Sequence, residues 1–228
     1  MMMIRESRPH ISAVPSPPAG LRERNKAQKR ERIKRAAKAV FAQCGYEDAT
    51  VREIAARANV GKGTVFLYAR DKHDLLMMVV NDELDELSRR TFATIPRNAV
   101  LLEQLVHVFA LRYKYWVSDL GLSRYALHEM HGSFANGAQG DVEPERFQER
   151  RHQMIDELAR LVAAAQSAGA VDTALDARTG ARFVLDLYIG ESRQWLSLER
   201  PTARAGIARL REVLELALRA FAPQPSIL

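Results

Sequence analysis

From Leu21 onward, apolar residues recur every third or fourth position almost without a break, which is the period of a helix rather than a strand. In the stretch LRERNKAQKRERIKRAAKAVFAQCG, Ile33, Ala36, Ala37, Val40 and Phe41 share one face, while Lys26, Lys29, Arg30, Lys34, Arg35 and Lys38 fall mostly elsewhere. Gly45 then offers a stop. Thr50 with Glu53 three residues later forms a capping-box pattern and opens a short helix through about Ala58. Asn59, Val60 and Gly61 make a tight turn, and a second short helix runs from Lys62 to about Tyr68. Asp71 caps a long helix from Lys72 to Phe92, with Leu75, Leu76, Val79, Val80, Leu84 and Leu87 as its stripe.

Beyond Pro96 the spacing predicts helices near 98–118, 121–133, 144–168, 174–198 and 202–221, separated by short Gly, Pro or Asp punctuation. No run alternates as strands do, and no segment repeats. The class is all-α, with three parts. Residues 1–20 carry four prolines without apolar periodicity and read as a disordered arm. Residues 21–71 form a helix-turn-helix unit. Residues 72–228 form a helical body.

The central motif, NVGKGTVFLYARDKHDLL, has two competing readings. Gly61-Lys62-Gly63 superficially matches the end of a phosphate-binding loop, but Gly63 stands where that loop needs Ser or Thr. Position 56 is alanine instead of glycine, and no strand precedes it. Two short helices across a tight turn, behind a basic helix, describe a helix-turn-helix instead. Ile54, Ala55, Val60, Val65 and Phe66 or Leu67 would close its core. Lys62, Gly63, Thr64 and Tyr68 would remain on the free side, able to enter a major groove. Lys62 suits a phosphate or a guanine edge, and Thr64 suits a phosphate or a thymine methyl.

Charge sharpens this picture. Residues 1–74 hold 16 Lys+Arg against 8 Asp+Glu, whereas the remainder holds 18 against 20, and Lys114 is the only lysine after Lys72. A basic front on a near-neutral body fits a polyanion that meets the front alone. Arg5 and Arg8 in the arm are placed to reach a minor groove if the arm orders on DNA. With Cys44 as the sole cysteine, no intrachain disulfide and no thiolate cluster can form. The apolar runs are too short to span a bilayer, so a cytoplasmic chain with no membrane contact is expected.

The segment Phe41–Leu76, FAQCGYEDATVREIAARANVGKGTVFLYARDKHDLL, resembles the DNA-binding region of the tetracycline-repressor (TetR-type) family of bacterial regulators. The shared features are the aromatic-x-x-x-Gly-Tyr followed by Thr50, then Ile54-Ala55, Val60 through Thr64, the aromatic Phe66, Tyr68, and Lys72 with Leu75. The family's usual phenylalanine after the tyrosine is Ala69 here. The resemblance implies phosphate contacts from Thr50, Arg52, Tyr68 and Lys72, and a groove-facing set of Lys62, Gly63, Thr64 and Phe66. Phe66 is equally at home in the core. The resemblance also implies a helical body that dimerises and binds a small effector.

In the body, Ile207, Leu210, Leu214, Ala217 and Phe221 recur in steps of three and four, a heptad-like seam. Ala181, Val184, Tyr188, Ile189, Trp195 and Leu196 line the helix before it. These stripes form either a four-helix dimer face or the protomer's own core. Phe109, Tyr113, Trp116, Tyr125, His128, Met130, His131, Phe134 and Met154 are the candidates for an effector pocket, and such a stripe also suits plain core. His128 and His131 in HEMH are three apart, so they miss the H-E-x-x-H zinc pattern, and a metal would need a ligand from another helix. No metal, cofactor or catalytic constellation is expected. The expected function is a homodimeric DNA-binding regulator, a repressor that a small effector releases from a palindromic operator. The rival is a helical ligand-binding or enzymatic dimer that keeps the motif as a relic.

Overall fold

The computed structural model describes residues 19–127 and 142–223, all of whose regular structure is helical. Helix α1 (Ala19–Asp48) begins with an exposed stretch and buries Ile33, Ala36, Ala37, Val40 and Phe41. At Gly45, where φ is +78°, the backbone leaves helical geometry in a conformation that a side chain would strain. Helix α2 (Val51–Arg57) starts in the predicted capping box: Thr50 Oγ1 accepts from Glu53 N at 3.2 Å, and Thr50 N donates to Glu53 Oε2 at 3.0 Å. Helix α3 (Lys62–Val65) is shorter than the pattern predicts and gives way to turns through Tyr68.

Helix α4 (Lys72–Ala93) is capped by Asp71, whose Oδ1 accepts from Asp74 N at 2.8 Å. Its first half is buried on every side, since all residues from Asp74 to Asn81 are inaccessible. The expected single stripe is therefore too narrow a description, because Met77 and Met78 also sit in the core, at 2% and 1% exposure. A helix sheathed this way is contacted by α1, α5 (Leu101–Ser118) and α7 (Val142–Ser167). The described part of α6 covers 120–127, and α8 (Ala177–Leu196) and α9 (Ala203–Phe221) complete the body.

Helix α9 packs against α5 and α8, and its closest approach is set by Gly206. A Cβ there would lie 2.4 Å from the Tyr113 ring and 2.8 Å from Trp195. Those two rings meet edge-on at 4.7 Å, and the Trp195 indole donates to the Thr202 carbonyl at 3.0 Å. Arg211 ties α9 to Glu103 of α5 at 2.8 Å. Both rings are buried and neither can move aside without opening the core. Gly206→Ala is expected to cost about 1–3 kcal/mol by overpacking, read as a lower urea midpoint at unchanged slope.

Candidate nucleic-acid interface and effector cavity

The helix-turn-helix is held from inside by small residues. Ile54, Ala55, Ala58 and Val65 are buried, and Asn59 turns the chain at φ +51°. The core is closed by Ala69, 6% exposed, and not by Phe66 or Leu67, which are 45% and 81% exposed. The closure expected from Phe66 or Leu67 is thus not made, and both side chains point outward. The turn is further pinned by Arg32, whose Nη2 donates to the carbonyls of Ala58 and Asn59, each at 2.7 Å. Sequence periodicity gave no hint of this clamp, because Arg32 reads as one more surface charge.

Of the predicted contact residues, Lys62, Gly63 and Phe66 are exposed together, with the Lys62 ammonium 5.7 Å from the Phe66 ring centroid. Arg52 is exposed, and Thr64 and Tyr68 are half-buried. A Cβ on Gly63 would meet nothing within 4 Å, so the protein's own packing does not require glycine there. Two residues are committed internally. The Thr50 hydroxyl donates to Glu53 Oε2 at 2.7 Å, and Lys72 donates to the Glu47 carbonyl at 2.8 Å while lying 4.5 Å over the Tyr46 ring.

The described candidates for the effector pocket fall in three places. Tyr125 stacks on Tyr46 at 3.7 Å, at the junction of α6 with the end of α1. His128, Met130, His131 and Phe134 lie outside the described residues. Phe109 and Tyr113 are wholly buried in ring contacts with Tyr188. Trp116 and Met154, by contrast, line a cavity of about 80 Å³ together with Leu84, Phe147, Leu185, Tyr188 and Ile189. The wall also contains Arg112, Arg150 and Ser192. A larger cleft, about 1170 Å³, runs between α1, α4 and α5 and is lined by charges such as Lys34, Lys38, Glu83 and Arg90.

The candidate dimer residues lie mostly inside the single chain, the second of the two places open to them. Ala181, Val184, Tyr188, Trp195, Leu210 and Leu214 are buried within the single chain, with Ala217 and Phe221 at 8% exposure and Ile207 half-buried. They fill the protomer's own core because α9 lies against α5 and α8 together. The large apolar side chains left outside on these helices are Phe183 and Leu216.

Between the motif and the cavity runs a network of charges. Asp82 of α4 receives both Arg30 guanidinium nitrogens, at 2.9 and 3.1 Å, and the Lys34 ammonium at 2.9 Å. Arg146 of α7 joins it at 2.7 Å and also donates to Asp85 at 2.7 Å. Arg150, one helical turn further on, donates to Asp85 at 3.0 Å and to the Asn81 side-chain carbonyl at 2.8 Å. Burial works to raise the Asp82 pKa, but hydrogen bonds from Arg30, Lys34 and Arg146 outweigh it and hold the carboxyl far below its ordinary 3.8. A depressed carboxyl stabilises the fold above its unfolded pKa and ceases to do so as pH falls through the folded one. Asp82→Asn is therefore expected to lower the urea midpoint at neutral pH. The gap from the parent chain should narrow as pH falls below 3.8.

Residues 33–78 match the family model described as bacterial regulatory proteins, tetR family. The fatty acid metabolism regulator protein of Bacillus subtilis (strain 168) is 30% identical over 88 residues, which cover 39% of this chain and 45% of that protein. The fold is similar to that of Thermus thermophilus FadR, a TetR family transcriptional repressor solved with lauroyl-CoA. There the TM-score is 0.66 at 22% identity, over 87% of this chain and 98% of that one. Bacillus subtilis FadR, solved with stearoyl-CoA, gives a TM-score of 0.62 at 21% identity, over 82% and 97%. No helix among the described residues is long and apolar enough to cross a membrane.

Proposed function

We propose that this chain, a TetR-type regulator by its residues 33–78 and by its fold, is a cytoplasmic DNA-binding repressor that a small molecule releases from its operator. The observation that carries the reading is the exposed face of α3. Lys62, Gly63 and Phe66 lie together there on a unit whose core is complete without them. A relic would have no reason to leave an aromatic ring 45% exposed beside a lysine. In this reading Lys62, Gly63, Thr64 and Phe66 meet the groove. The absence of a side chain at Gly63, which internal packing does not demand, lets the DNA backbone or base edges approach. Arg52 and Tyr68 contact phosphates. Thr50 and Lys72 act first as structural ties, and reach phosphate only through groups they do not already use.

The working unit is a homodimer that presents two motifs to half-sites about one helical turn, roughly 34–36 Å, apart. Pairing would use the outward apolar side chains of α8 and α9, Phe183 and Leu216 among them, over the core seam beneath. The DNA-binding unit would end near residue 71, with α4 shared between it and the effector body. The effector would occupy the cavity lined by Trp116, Met154 and Tyr188, and the similar structures holding lauroyl-CoA and stearoyl-CoA make acyl compounds the first class to test. Release follows the charge network: widening the cavity moves α7, and with it Arg146 and Arg150, whose bonds to α4 set where Asp82 holds α1. A coupling of about 1–3 kcal/mol changes operator affinity some 5- to 150-fold.

The deciding experiment is equilibrium binding to duplex DNA flanking the chain's own gene, against a scrambled duplex, at several salt concentrations. The native duplex is expected to bind at least about 10³-fold more tightly. Failure to bind either duplex at low salt would remove the regulator reading. Lys62→Ala is expected to weaken binding and to lower the slope of log K against log salt by about one. An unchanged slope would take Lys62 off the phosphates.

A further inference from the structure

Arg112 sits in the middle of α5, between Phe109 and Tyr113 on one turn and Trp116 on the next, and is 6% exposed. Its Nη2 donates to Ser88 Oγ of α4 at 2.8 Å, whereas its Nη1 has no hydrogen-bond partner among the described residues. No carboxylate among those residues lies within ion-pair distance. Asp85, the nearest acidic influence, is already divided between Arg146 and Arg150. Guanidinium groups keep their proton, so this is a buried positive charge with one arm unanswered, and chains seldom retain one without a use.

Arg112 is one of the residues that line the cavity already described. Most of the other lining side chains are apolar, Leu84, Trp116, Phe147 and Met154 among them, and the two further arginines on the wall are already engaged, Arg150 with Asp85 and Asn81 and Arg151 with Asp186. Two hydroxyls share the polar end with Arg112. Ser192 lines the cavity, and Tyr188 accepts from the Trp116 indole at 3.0 Å, which leaves its own proton to donate. Burial pushes the Tyr188 pKa up, so this hydroxyl stays protonated.

Resting on the effector reading above, we infer that the cavity takes an amphipathic carboxylate, a hydrocarbon body whose carboxyl group is anchored at Arg112 beside the Tyr188 and Ser192 hydroxyls. A molecule whose buried part is hydrocarbon alone leaves Nη1 unanswered and gains nothing from the arginine. A multiply phosphorylated head group would find one unpartnered guanidinium nitrogen and two hydroxyls here, too few donors for several phosphates. A longer body has to displace lining side chains, of which unbranched Met154 is the most adaptable. The carboxylate would also compete with Ser88 for the guanidinium, and Ser88 can release it because its hydroxyl already donates to the Leu84 carbonyl at 2.7 Å. Arg112 thus ties ligand occupancy to the packing of α5 on α4.

The test is calorimetric titration of the full chain, without DNA, with octanoate, 1-octanol and octanoyl-CoA, repeated on Arg112→Met. Octanoate is expected to bind at least tenfold more tightly than octanol. The variant is expected to lose that preference while still binding octanol as the parent does, which shows the cavity intact. Its ligand-free melting temperature is expected to equal or exceed the parent's, since the change removes an unpaired buried charge. Should Arg112→Met fail to fold, Arg112→Lys serves instead, and a reduced acid preference is expected because the ammonium lacks the planar fork. Equal binding of acid and alcohol by the parent, or no binding of either, overturns the inference. So does octanoate binding that Arg112→Met leaves unchanged. Tight octanoyl-CoA binding that ignores Arg112 overturns it too, yet leaves the regulator reading standing. Absence of operator binding would sink that reading without touching this titration.

Discussion

Asp82 is the point at which three helices of the molecule are joined. It lies on α4, the helix sheathed by the rest of the fold, and it gathers charges from both α1 and α7. A carboxylate in this position has to be matched by cations or it would not remain ionised when half-buried. The matching fixes geometry as well as charge, because the two-pronged bond from Arg30 holds only when α1 and α4 keep one rotation and one separation. The angle at which α3 is presented follows from that junction. So does the position of α7, the wall of the cavity.

Much of the fold was legible because helical periodicity and caps are local. The stripe on α1, the capping box at Thr50 and the Asp71 cap of α4 all follow from spacing within a few residues, and each is present. Partner choice was less legible. Ile54 and Val65 read correctly as core of the motif, but the closure expected from Phe66 or Leu67 is supplied by Ala69, since which side chain a small core admits depends on the depth left for it. The seam from Ile207 to Phe221 had the right period for a pairing face. Its use inside the protomer depends on where α5 lies, and that lies about a hundred residues away in sequence.

Charged residues were the least legible. Arg30, Arg32 and Lys34 look like an undifferentiated basic surface, yet each has an internal acceptor: the carboxylate of Asp82 shared by two of them, the turn carbonyls of Ala58 and Asn59 for the third. Part of the basic front therefore holds the helix-turn-helix in place and is not free for a polyanion. Arg112 carried a hint that was open to reading. A charge in register with Val108, Phe109 and Trp116 interrupts an otherwise apolar face, and such an interruption marks a position that packing alone does not explain.

Cys44 is the chain's only cysteine; it is exposed near the end of α1, its thiol donating to the Val40 carbonyl at 3.2 Å. A spin label or fluorophore placed on it needs no engineered site and no removal of competing thiols. In a paired assembly there would be two such probes, one beside each helix-turn-helix. The distance between them would report directly on how far apart the two reading heads stand, and whether that separation changes when the cavity fills.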